Sequence, residues 1–82
     1  MINVEFYGTL RSLMTIDMLV VEAYTIKELI VTIEKETKIA CKSELRNAIT
    51  FVNQVNFLKL KKYNTKLKVG DKVVFLSPAS GG

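Results

Sequence analysis

At 82 residues, 49% hydrophobic and 24% charged, the chain is long enough for one modest core and too short for a core plus a separate catalytic cleft. It holds no histidine and one cysteine, which removes Ser-His and Cys-His triads, imidazole metal sites and any internal disulfide. The formal net charge of +4 is uneven, since residues 1–41 carry four basic and six acidic side chains while residues 42–82 carry eight and two.

Ile2 to Tyr7 alternate, with Ile2, Val4 and Phe6 on one side and Asn3, Glu5 and Tyr7 on the other, the pattern of a half-buried strand. Glu5 interrupts this run as a signal peptide, and no stretch approaches the roughly 18 apolar residues of a membrane span, so a cytoplasmic protein with no membrane partner is expected. Gly8 ends the strand. Thr9 to Thr15, with Arg11 and Ser12 among apolar residues, reads as a loop or short turn leading to a second strand around Met18 to Glu22. The two strands form a hairpin with a longer connection.

Thr25, Ile26, Lys27 and Glu28 compose a capping box, in which the Thr25 hydroxyl accepts from the Glu28 N–H and the Glu28 carboxylate accepts from the Thr25 N–H. The helix that follows places Ile26, Leu29, Ile30 and Ile33 on one apolar stripe and turns Lys27, Glu28, Glu34 and Lys35 to water. Glu34 and Lys38 are spaced to pair, and the helix ends near Lys38. Ile39 to Arg46 is ambiguous, with Ser43 a candidate cap for a short turn over Leu45. Cys41 reads as a small buried hydrophobe before it reads as a redox thiol.

Ala48 to Asn53 suggests a third strand, and Phe57 to Leu60 a fourth in which lysine alternates with leucine. Lys59, Lys61, Lys62, Lys66, Lys68 and Lys72 crowd one stretch and could meet phosphate or an acidic partner. Nucleic-acid readers interleave arginine and exposed aromatics with such a patch; only Tyr63 is available here, so a solvated face is the simpler reading and nucleic acid is not expected. Gly70-Asp71 is a turn, Val73 to Leu76 a buried strand, and Pro78 halts pairing near Ser77. The order strand, strand, helix, strand, strand, strand gives one α+β domain over residues 1–82, with one main helix on one face of a mixed sheet. Pro78 to Gly82 extend at most roughly 17 Å, and Gly81 and Gly82, lacking Cβ atoms, can pass a narrow channel. A frayed terminus is the plain alternative.

Three stretches resemble the MoaD/ThiS family of ubiquitin-like sulfur carriers. Ile2 to Leu13 is similar to the family's first strand and following loop, Val52-Asn53-Gln54 to a central signature, and Gly70-Asp71 with the apolar run, Pro78 and Gly81-Gly82 to its C-terminal end. The resemblance is nearest to the small subunits of molybdopterin synthases. It implies a β-grasp (ubiquitin-like) fold whose first and last strands lie parallel at mid-sheet, with residues 78–82 as a flexible Gly-Gly tail.

The resemblance also implies the chemistry. An ionised carboxylate is a poor electrophile, and the family's answer is an E1-like adenylyltransferase that uses ATP to adenylate Gly82, after which a persulfide donor supplies the sulfur of a thiocarboxylate. A large catalytic subunit, in a heterotetramer, then receives Pro78, Ala79, Ser80, Gly81 and Gly82 and passes the sulfur to cyclic pyranopterin monophosphate. The carrier binds no cofactor and contributes no catalytic side chain. Tyr7, Arg11, Phe75 and Leu76 are the candidate partner interface, with the core as the alternative for Phe75. Ser77 and Ser80 depart from the Pro and the Thr or Val of the family pattern, which bears on partner preference, and the lysine-rich part is a few residues longer than in the relatives. Thiamine-pathway sulfur donation and isopeptide conjugation to lysines use the same kind of tail. A basic binding module with an incidental tail is a reading of a different class.

Overall fold

The computed structural model describes residues 1–77; the tail expected at Pro78 to Gly82 lies outside the described residues. Strand β1 (Ile2–Tyr7) is followed by α1 (Thr9–Met14), β2 (Met18–Val21), α2 (Ile26–Thr37), α3 (Lys42–Asn47), β3 (Ile49–Val52), β4 (Val55–Asn56), two 3-10 turns (Phe57–Lys59 and Lys62–Asn64) and β5 (Lys72–Leu76). The strands form one five-stranded sheet in the order β2-β1-β5-β3-β4. β1 pairs antiparallel with β2 and parallel with β5, and β5 pairs antiparallel with β3. A mixed sheet with first and last strands parallel at its centre is the expected β-grasp.

Alternation decides which side of the sheet is core. Ile2, Val4 and Phe6 of β1, Val73 and Phe75 of β5 and Val52 of β3 join Ile26, Leu29, Ile30 and Ile33 of α2 in one buried cluster. The α2 stripe thus closes one face, as its spacing requires. Phe6 and Phe75, register partners on the parallel pair, stack with ring centroids 6.2 Å apart and planes 19° from parallel.

Several local expectations are corrected. Thr9 to Met14, expected as a loop or short turn, is a short helix, because Leu10 and Met14, four residues apart, both reach the core; Thr15 closes it in the left-handed region at φ 59. At α2 the Thr25 hydroxyl does accept from the Glu28 N–H at 3.1 Å, but the Glu28 carboxylate accepts from the Tyr24 N–H at 2.7 Å and not from Thr25. Glu34, placed to pair with Lys38, instead accepts from the backbone N–H groups of Cys41 (2.9 Å) and Lys42 (2.7 Å). It thereby satisfies the start of α3, where Ser43 provides no cap and Leu45 turns inward.

The largest correction falls on Phe57 to Leu60. The fourth strand is the two-residue β4, and Phe57 to Lys59 coil into a 3-10 turn. Local bonds win here: the Asn56 side chain accepts from the Leu58 N–H at 2.9 Å, and the Leu60 N–H donates to the Phe57 carbonyl at 2.9 Å. Phe57 is buried while Leu58 stays 62% exposed, so the leucine–lysine alternation does not sort the segment into faces.

Candidate functional site

Everything the candidate site requires converges on β5. Its entrance is fixed by the two sequence signatures that flank it. Asn53 (φ 50) and Gln54 (φ 72) form the two-residue connection of the β3–β4 hairpin, both in the left-handed region that a type I′ turn requires. The Asn53 side chain then bridges to β5, its Nδ2–H donating to Asp71 Oδ1 at 3.0 Å and its Oδ1 accepting from the Lys72 N–H at 3.0 Å. The other carboxylate oxygen of Asp71 accepts from the Lys68 N–H at 2.8 Å. Burial pushes the Asp71 carboxyl up, but the bonds from Asn53 and the Lys68 N–H outweigh it and hold the group below its ordinary value. Val52-Asn53-Gln54 and Gly70-Asp71 are therefore two halves of one lock, a role that their separation in sequence conceals.

The exit lies at the other end. The Ser77 N–H donates to the Tyr7 carbonyl at 3.3 Å, and the Ser77 and Thr9 hydroxyls are hydrogen-bonded to each other. Gly8 stands against this exit with φ +71, and a Cβ built on it would lie 2.5 Å from the Ser77 carbonyl oxygen. Only a glycine admits the end of β5 at that distance. A pocket of about 390 Å³ opens beside it between Thr9, Leu13, Glu44, Asn47 and Ser77.

On the open face of the sheet, register places Tyr7, Leu76 and Ile49 side by side across β1, β5 and β3. Tyr7 is 38% and Ile49 37% exposed, and Leu76 is half-buried. Ile49 was missed in the sequence; its signal is the two-residue alternation with buried Thr50 and Val52. Arg11 joins the group, its guanidinium 5.3 Å from the Tyr7 ring centroid and its Nε 3.1 Å from Asp17. The Tyr7 O–H donates to Glu5 at 2.6 Å, and Lys72 pairs with the same carboxylate at 3.2 Å. These two contacts, Tyr7 first, hold Glu5 below its ordinary value, and the Glu5 carboxylate pushes the Tyr7 hydroxyl up.

The structure brings together Tyr7, Arg11 and Leu76 but not Phe75. Phe75 is 0% exposed in the stack with Phe6, so its assignment to a partner surface is corrected: the inward phase of β5 makes it core. The predicted tail residues Pro78, Ala79, Ser80, Gly81 and Gly82 lie outside the described residues.

Side-chain chemistry near this site is sparse. Among the described residues, no cluster of three or more histidine, cysteine, aspartate or glutamate side chains could hold a metal ion. Cys41 is buried, and its thiol is pushed up to about 11 by burial and then by Glu34 and Glu44, which keeps it protonated and unreactive. No helix among the described residues is long and apolar enough to cross a membrane.

Comparison with known proteins gives a consistent picture. A model described as the ThiS family matches residues 4–82. The small archaeal modifier protein 1 from Methanosarcina acetivorans is similar with TM-score 0.85 at 19% identity, over 99% of this chain and 95% of that one. The Amycolatopsis orientalis BexX/CysO complex contains a chain similar with TM-score 0.84 at 21% identity, over 100% of both chains. The complex of subunits 1 and 2 of molybdopterin-converting factor from Helicobacter pylori 26695 contains one similar with TM-score 0.66 at 27% identity, over 99% of this chain and 97% of that one. A comparison with curated protein sequences finds no match.

Proposed function

The chain belongs to the ThiS family, and from that premise we propose that it is a sulfur carrier serving molybdopterin synthesis, with Gly82 as the atom-bearing residue. One observation carries the reading. β5 is paired on both sides at the centre of the sheet and ends at Leu76, six residues before Gly82, so whatever follows Ser77 continues from a strand held on both edges. In the proposed sequence the Gly82 carboxylate attacks the α-phosphate of ATP on an E1-like adenylyltransferase, releasing pyrophosphate. A persulfide sulfur adds to the acyl carbon and AMP leaves. A second thiol then cleaves the sulfur–sulfur bond, leaving a thiocarboxylate on Gly82 and a disulfide on the donor.

The large subunit of a molybdopterin synthase would take up Pro78 to Gly82, against the exposed row of Tyr7, Leu76 and Ile49 with Arg11 at its rim, and direct the sulfur to cyclic pyranopterin monophosphate. The two-subunit complex of the Helicobacter pylori relative supports such a partner. Thiamine-pathway donation and protein conjugation share the activation step, and likeness to an archaeal modifier keeps conjugation as the second reading.

The test is direct. Incubation with the E1-like enzyme, ATP and a persulfide donor should replace one carboxylate oxygen by sulfur, seen by intact mass and mapped to the C-terminal peptide. One residue appended after Gly82 should block it, since misplacement by about 1 Å can cost 10²-fold in rate. Thiolated protein plus the large subunit should then convert cyclic pyranopterin monophosphate. Native protein that takes no sulfur but joins lysines through Gly82 would establish conjugation instead.

A further inference from the structure

The lysine-rich stretch after β4 is absorbed by none of this chemistry. Asp71, its one acidic residue, is held by Asn53 and the Lys68 N–H, and Lys72 is paired with Glu5. Lys59, Lys61, Lys62, Lys66 and Lys68 are exposed and form no ion pair among the described residues. We propose that this lysine face is a second docking surface, for an acidic protein segment that carries an apolar side chain among its carboxylates. The proposal goes beyond the sulfur-carrier reading and does not depend on Gly82.

The charges stand on an ordered frame. The Asn64 N–H donates to the Lys61 carbonyl at 2.9 Å and the Thr65 N–H to the Lys62 carbonyl at 3.0 Å. The Tyr63 O–H donates to the Arg46 carbonyl at 2.9 Å. The Ile26 N–H donates to the Thr65 carbonyl at 3.2 Å and the Leu67 N–H to the Tyr24 carbonyl at 2.8 Å, tying the stretch to α2. Like charges pre-placed on such a frame repel one another and attract an oppositely charged surface at little ordering cost. Lys59, Lys61 and Lys66 line an open depression of about 570 Å³ that also takes in Leu60 and the buried Thr65, and the exposed Leu60 supplies its apolar contact. None of these residues lines the pocket at the β5 exit.

Other anions fit less well. Tyr63 cannot stack on a base, because Phe57 meets it edge-on at 5.2 Å and the Arg46 guanidinium covers its ring at 4.5 Å. Tyr24 is exposed and precedes Thr25, which bridges to Lys66, but it shares a pocket with Glu22 and its N–H donates to Glu28, whose charges repel phosphate. Two three-residue turns also lack the continuous amphipathic face that lies in a lipid interface.

The full chain is titrated with three probes: a fluorescent peptide of alternating glutamate and leucine, an oligouridylate, and phosphatidylserine vesicles. The peptide is expected to bind tightest and to shift amide resonances of residues 57–68. Binding should weaken with salt and fall about tenfold in Lys59→Gln/Lys61→Gln/Lys66→Gln, the order expected from losing several solvated pairs. Leu60→Ser should weaken it further, and Lys27→Gln/Lys35→Gln on α2 should leave it unchanged. Thermal unfolding confirms that each variant is folded. Equal loss in the α2 variant, tighter binding of the oligouridylate or the vesicles, or resonance shifts confined to the β5 exit would each overturn the proposal.

Discussion

The two ends of β5 are built on different principles. At its entrance a buried carboxylate, an amide side chain and backbone groups interlock: Asp71 with Asn53 and Lys68, Asn53 with Lys72 in both directions. At its exit the contacts join neutral groups nearer the surface, Ser77 to the Tyr7 carbonyl and to the Thr9 hydroxyl, with Gly8 clearing the way. The two bonds to the Asp71 carboxylate are charge-assisted and partly buried, which makes them stronger than the neutral bonds at the exit. The difference teaches how a strand can be fixed in the fold at one end and be open to a partner at the other.

The comparison can be broken first in the middle. Phe75→Ala removes a fully buried ring from the stack on Phe6 and should cost about 3–5 kcal/mol in denaturant unfolding. A near-neutral result would show that β5 is not anchored in the core at all. Next in size is the entrance. Asp71→Ala leaves the Asn53 amide and the Lys68 N–H without their acceptor and should cost about 1.5–3 kcal/mol.

The same carboxyl gives a pH signature. Its folded pKa lies below the unfolded one, so its stabilisation is fully present above the ordinary carboxylate value of about 3.9 and is lost as pH falls through the folded value. Asp71→Asn should therefore show a shallower loss of stability on acidification than the native protein, measured as unfolding midpoint against pH. An identical acid limb would mean that Asp71 is not held as described.

Thr50 sharpens the picture from the core side. Its hydroxyl is buried on β3 with no hydrogen-bond partner among the described residues, and Thr50→Val should raise stability by about 1 kcal/mol, seen as a higher thermal midpoint. The smallest effect on stability is expected at the exit. Thr9→Ala/Ser77→Ala should stay within about 0.5 kcal/mol of native, whereas Tyr7→Ala should weaken large-subunit binding in calorimetric titration while the chain stays folded. If Tyr7→Ala binds normally, the exposed row beside the exit is not the partner surface.

How far the sequence reveals this depends on how local each signal is. The α2 stripe and the β1 alternation are periodicities that burial reads directly, and every residue of the stripe is in the core. Leu58, Lys59, Leu60 and Lys61 show an equally regular period of two, yet Asn56 captures the Leu58 N–H and coils the chain; a hydrogen bond from a side chain overrode a pattern. Glu34 was visible as half of a helix pair, but its partners, the N–H groups of Cys41 and Lys42, are set by how the chain turns after α2. The two signatures around β5 were legible as resemblance and not as mechanism, because the lock joins Asn53 to Asp71 only once the sheet exists. Phe75 could be core or interface by residue type alone; the phase of β5 decides for core.

The parallel pairing of β1 with β5 also sets a timetable. Asn3 meets Lys72 and Tyr7 meets Leu76, so the first described strand waits for the last described one, and contacts so distant in sequence form slowly. A polypeptide that stops before Lys72 holds two antiparallel hairpins with no strand between them. At about 5–20 residues per second on the ribosome, the β1 edge stays open for seconds until β5 emerges. Until then the row of Tyr7, Leu76 and Ile49 does not exist, because Leu76 is the member that joins the other two.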